Sequence, residues 1–227
     1  MTNLWHSRQQ ALAALADEAP EVLSVLDDLF CLVDDCIGAL EATDSDFGRV
    51  TALCMAKSRN LALGCYSLSL DSLAQEGGAL FRPLLEGYEL LTYFRLDPGR
   101  IEEALHNHLP SAGIVAKRID GEYQGLREYL NRHASHLSLG PESMRHLLDL
   151  ESEKPAQLIR SRQPFRLGVV LKNLQTLFAV FALVEIEGVN CALVAGSSVP
   201  PELADRMIEL RQRGLRVFET ALDELQA

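Results

Sequence analysis

The chain has 227 residues, is 48% hydrophobic but only 6% aromatic, and carries a formal charge of −11. That length sustains one substantial core, and no Gly-, Pro- or Ser-rich linker or low-complexity run divides it, so residues 1–227 read as a single domain. Residues 1–50 carry 10 acidic and 2 basic side chains, a net −8, whereas residues 158–227 carry 8 of each, and this acidic N-terminal third argues against broad contact with a phosphate backbone.

Leu and Ala dominate, no stretch alternates apolar and polar residues for long, and helical periodicity recurs throughout. The expected class is all-α, an antiparallel bundle of about seven to nine helices without significant sheet. No fixed-period repeat points to a solenoid.

In chain order, the pattern predicts a first helix over 4–16 and, after the break at Ala19-Pro20, a second over 20–42, with proline in its first turn. The apolar stripe of this second helix is Val22, Val25, Leu26, Leu29, Phe30, Val33, Ile37 and Leu40. Its other side holds two acidic rows at seven-residue spacing, Glu21, Asp28, Asp35 and Asp27, Asp34, Glu41, which suit a solvated face or a basic protein partner. Asp44-Ser-Asp46 caps a third helix reaching 73, and Gly77-Gly78 separates it from a fourth that stops at Asp97-Pro98-Gly99. Shorter helices follow over 112–120 and 122–134, then a polar loop over 151–164 and a long apolar helix over 165–187. Beyond the boundary at 196–201 a final helix over 201–225 repeats Leu203, Met207, Leu210, Val217, Ala221 and Leu225, suited to a bundle or a dimer.

The five cysteines form no Cys-x-x-Cys pair and read as buried thiols of a reducing cytosol. The first residues carry no apolar signal core, and the longest apolar run, 176–184, falls short of the roughly 20 residues a membrane span needs. The expectation is a cytoplasmic protein with no membrane association, no cofactor and a homodimeric assembly.

The fourth helix carries the most informative pattern. Arg82, Glu86, Glu89 and Tyr93 are spaced four, three and four residues apart in an otherwise apolar stretch, so they share one line on the helix. Charges in so wide an apolar surface should meet a partner group or line an enclosed pocket. Five of the six histidines fall between 106 and 146, and His133 and His136, three apart, are the expected neighbours of that line. Together Glu86, Glu89, His133 and His136 would offer two carboxylates and two imidazoles to one divalent metal. The two Glu-x-x-His motifs of di-iron bundles do not both occur, so no metal is the principal expectation.

The Arg-Pro-Leu-Leu-Glu core within 78–94, together with 129–137, resembles a diffuse group of uncharacterised bacterial all-helical proteins that are distantly similar to HEPN domains. Some HEPN domains are ribonucleases carrying an Arg, four to six residues, then a His. The resemblance covers about a third of the chain and implies a phosphate-contacting role for Arg127 and a general acid/base role for His133 in metal-independent cleavage. On an unbroken helix those two residues lie about 120° apart, so they converge only where the helix breaks near Asn131 or two copies meet.

No Gly-rich phosphate loop, Gly-x-Ser-x-Gly elbow or Cys-His arrangement occurs. The leading functional expectation is therefore a partner-binding or structural helical module with a buried polar network of Arg82, Glu86, Glu89, Tyr93 and His136. A HEPN-like ribonuclease or toxin component comes second, with nucleic acid a partner only in that case, and a metal-binding bundle third.

Overall fold

The structure, a computed structural model, describes residues 5–133, 165–196 and 201–225. Within them the chain forms α1 (His6–Glu18), α2 (Pro20–Glu41), α3 (Asp46–Leu70), α4 (Ala74–Leu96), α5 (Ile101–Leu105), α6 (Ala112–Arg118), α7 (Gln124–His133), α8 (Leu167–Val194) and α9 (Pro201–Glu224). No strand occurs among the described residues, and the all-α bundle expected from the periodicity is the architecture found.

Local chemistry sets most of the boundaries. Pro20 opens α2, where its missing N–H is no loss, and Ser45 caps α3 by accepting from the Gly48 amide at 3.0 Å. At the other end of α4, the Asp97 side chain accepts from the Gly99 amide and turns the chain into a 3₁₀ turn, Pro98–Arg100.

The α3–α4 connection differs from expectation. The break falls at Ser72, whose φ is 60°, and Gly77 and Gly78 lie inside α4. Gly77 lies at a contact between the helices: the Cys65 thiol of α3 donates to its carbonyl at 3.6 Å, and a Cβ there would meet Leu68 at 3.5 Å, an ordinary packing distance. Pro83 sits more than one turn beyond those glycines without ending the helix.

The core lies where α2, α3, α4 and α8 meet, and α9 closes it against α2 and α8. Phe30 of α2 meets Phe181 of α8 with ring centroids 5.1 Å apart, and Phe178 of α8 meets Phe218 of α9 at 5.6 Å. Two glycines make this packing possible. A Cβ at Gly188 would lie 2.6 Å from the Met55 sulfur, and one at Gly214 would enter the Phe178 ring.

The acidic rows of α2 meet cations within the chain. Asp35 accepts from Arg206 at 2.9 Å and Asp28 pairs with Arg213, so two row members seven apart face two α9 arginines seven apart in antiparallel register. In the other row, Asp34 pairs with Arg59 of α3 at 2.5 Å. Helix α2 is thus flanked by α3 on one acidic edge and α9 on the other.

Helix α8 runs past 187 to Val194 and would suit a membrane span by length and composition alone. Of its most apolar 18 residues 67% are buried inside the bundle, which accounts for its apolar character as core. The short run at 176–184 understated this helix because buried Glu185 and Glu187 interrupt the apolar sequence without interrupting burial.

Candidate functional site

The polar line of α4 is met by three short helices. At its first position Arg82 Nε donates to Glu86 Oε1 at 3.0 Å, an i,i+4 pair within α4 whose side chains are 30% and 28% exposed. These two are half-open to solvent, in contrast to the burial that the apolar surroundings suggested.

Glu89 is the deeply buried member. Its carboxylate is 2% exposed and forms an ion pair with Arg127 of α7, whose side chain is 10% exposed. Arg127 also approaches Glu86 Oε1 at 3.9 Å, so one guanidinium gathers both carboxylates of α4. Burial lowers the Arg127 pKa from its ordinary value, the Glu86 charge opposes that shift, and Arg82 adds to it. The pair fastens α7 across α4.

Tyr93, fully buried, ends the line. Its hydroxyl donates to Glu103 Oε2 of α5 at 2.9 Å and accepts from Arg118 of α6 at 2.5 Å. The Arg100 guanidinium lies 4.3 Å from the ring centroid and donates to the Tyr93 carbonyl at 3.1 Å. Four residues, Arg100 of the 3₁₀ turn, Glu103 of α5, Arg118 of α6 and Arg127 of α7, therefore answer a row that the sequence presents on α4 alone. Sequence reading missed the first three because nothing in their local pattern distinguishes them from ordinary helix-end charges; the only signal is that Arg118 closes a short helix and Arg100 follows a turn.

On the opposite side of α4, Arg95 Nε donates to Glu187 Oε2 of α8 at 2.6 Å, with Glu187 8% exposed. Nearby Glu185 is 2% exposed, its Oε1 has no hydrogen-bond partner, and burial raises its pKa to about 8.

His133 closes α7, which runs unbroken through Asn131 and so sets Arg127 and His133 about 120° apart around the axis. His136, the remaining histidine expected beside α4, lies outside the described residues, as does the polar loop predicted over 151–164. His106 and His108 are exposed. Glu86 and Glu89 already hold arginines, and no group of three or more His, Cys, Asp or Glu suited to a metal occurs among the described residues.

A cleft of about 210 Å³ opens beside this line. Cys54, Lys57, Ser58 and Leu61 of α3 form one wall, Pro83, Glu86, Gly87, Glu89 and Leu90 of α4 another, and Leu109, Pro110, Ala112 and Val115 the third. The Ser58 hydroxyl donates to the Cys54 carbonyl at 2.9 Å, and the Cys54 thiol donates to the Gly87 carbonyl at 3.7 Å. A Cβ at Gly87 would collide with the Ser58 hydroxyl, so glycine sets how closely α3 and α4 approach at the cleft floor. Burial pushes the Cys54 thiol up to about 12, which leaves it protonated and unreactive at neutral pH.

Of the expected buried cysteines, Cys36, Cys65 and Cys191 are buried and Cys54 is half-buried, whereas Cys31 is exposed. The reason is angular: Cys31 falls off the Val22 to Leu40 stripe of α2 that faces the core.

The fold and cleft define an all-α bundle with a buried ion pair and a small, mostly apolar recess. No protein-family model matches the chain, and no curated protein or solved structure is similar enough to match it.

Proposed function

We propose that the protein is a non-catalytic helical-bundle module that acts by binding, as a homodimer, with the Arg127, Glu89 and Glu86 network holding α7 and the cleft wall in place. The observation that carries this reading is the state of the cleft's reactive-type side chains. The Ser58 hydroxyl and the Cys54 thiol both donate to backbone carbonyls, and the thiol is held protonated. Glu86 and Glu89 are occupied by Arg82 and Arg127, so among the described residues no hydroxyl, thiol or carboxylate of the lining stands ready as nucleophile or base. Arg127, the residue expected to contact a scissile phosphate, is buried against Glu89. Leu53 of α3 and Leu193 and Val194 of α8 are exposed large apolar residues that suit contact with a second copy.

The test is incubation of the purified protein at high concentration with structured and single-stranded RNA in chelator-containing buffer, beside sedimentation analysis. No cleavage and a dimeric mass are expected. RNA cleavage lost in a folded His133→Ala variant would overturn the binding reading in favour of a HEPN-like ribonuclease.

A further inference from the structure

The cleft's lining is mostly apolar, with Leu61, Pro83, Leu90, Leu109, Pro110 and Val115 around it, and it carries three ionisable groups of fixed charge: Lys57, Glu86 and Glu89. Each carboxylate has an arginine of its own, Glu86 with Arg82 and Glu89 with Arg127. Lys57 is exposed and has no ion partner among the described residues. Counting the two arginines with the lining gives three positive groups against two negative ones, an excess of one positive charge at an apolar recess.

Volume narrows the occupant further. At about 210 Å³ the cleft is below the roughly 300–1,000 Å³ typical of sites for drug-sized ligands, so it suits a short chain or a single ring. Its side-chain donors on α3 are already directed at backbone carbonyls, which leaves the Lys57 ammonium as the group positioned to fix a polar head. The ammonium sits on a flexible stem at the exposed edge, where it can hold an anion while the apolar body enters between α3, α4 and the 109–115 wall.

We propose that this cleft binds a small amphipathic carboxylate, its apolar body against Leu61, Leu90 and Val115 and its carboxylate on Lys57. This rests on the binding reading above and specifies what is bound. Glu86 and Glu89 contribute selectivity by exclusion: their charges are compensated in place, so a cationic head gains no unpaired carboxylate and meets Lys57, Arg82 and Arg127.

The experiment is calorimetric titration of the full chain with sodium octanoate, octan-1-ol and octylamine at matched ionic strength, with amide shifts followed by NMR. Saturable octanoate binding is expected, with shifts concentrated at 54–61, 83–90 and 109–115, and with the amine at least about ten-fold weaker. Lys57→Met should weaken octanoate about five-fold and leave octan-1-ol unchanged. Ala112→Trp, or Leu61→Trp if the first fails to fold, should abolish binding by filling the recess. Absence of saturable octanoate binding, octylamine binding as tight as octanoate, or an unchanged Lys57→Met affinity would each overturn the carboxylate assignment. Tight amine binding would do so while leaving the binding reading intact, and RNA cleavage would overturn that reading by itself.

Discussion

Arg127 of α7 reaches across to the buried carboxylate of Glu89 on α4, and this one ion pair joins two elements that are separated in sequence by α5, α6 and two turns. Its energetic character follows from where it sits. Both charges are withdrawn from water, so attraction between them is offset by desolvation, and the pair contributes more to arrangement than to net stability. Removing one partner is a different matter, because it strands the other.

Glu89→Leu or Arg127→Met alone should therefore destabilise the protein by about 3–5 kcal/mol, while the double variant recovers most of the loss. Arg82→Ala should cost no more than about 0.5 kcal/mol, since that pair is i,i+4 and half-exposed. Urea unfolding of the four proteins checks this, and equal losses at Arg82 and Arg127 would contradict the burial difference.

Glu185 gives a pH dependence of defined sign. Its folded pKa, raised to about 8 by burial, lies above the ordinary carboxylate value, with the Arg206 charge opposing the rise. The neutral form fits the core, so its contribution to stability is complete below the unfolded pKa and is lost as pH rises from about 4.5 to about 8. Glu185→Gln should stabilise the protein above pH 7 by on the order of a few kcal/mol and flatten the stability profile across that window, as read from denaturant midpoints at several pH values.

The cysteines divide by accessibility. Burial raises the thiols of Cys36, Cys54 and Cys65 to about 12 and that of Cys191 further, whereas Cys31 is exposed. A chromogenic disulfide reagent should modify one thiol rapidly in native protein and the other four only on unfolding. Rapid loss of the single reactive thiol in Cys31→Ser identifies it.

Helix closure at α9 can be probed without touching a charge. Gly214→Ala improves helix propensity by about 1 kcal/mol, yet its Cβ enters the Phe178 ring. The clash should win, with a net loss of about 1–3 kcal/mol in thermal or denaturant unfolding. Pairing it with Phe178→Leu, which vacates the space, should restore part of that loss.

The fold class and most helix boundaries were legible because apolar periodicity, Pro20, Ser45 and the Asp97-Pro98-Gly99 stop are local signals. Gly77 and Gly78 misled the boundary of α4 because a glycine carried inside a helix has the same letter as one needed for a turn. The line from Arg82 to Tyr93 was legible as a spacing, but its partners were not: pairing across space with Arg100, Glu103, Arg118 and Arg127 leaves no trace in any local window. The cleft was equally silent in sequence, since Leu109, Pro110 and Ala112 become its wall only through the path of the chain after α5.

The seven-residue register between α2 and α9 bears on how the chain folds. Asp35 and Arg206 are 171 residues apart and Asp28 and Arg213 are 185 apart, so α2 is synthesised long before its counter-charges exist. Until α9 arrives, α2 carries an uncompensated acidic edge that repels premature association with other acidic segments, and the core lacks Phe218. On the ribosome α9 therefore meets α2 last, its two arginines matching charges already in place, although the finished pairs, being exposed, contribute little to the stability of the native state.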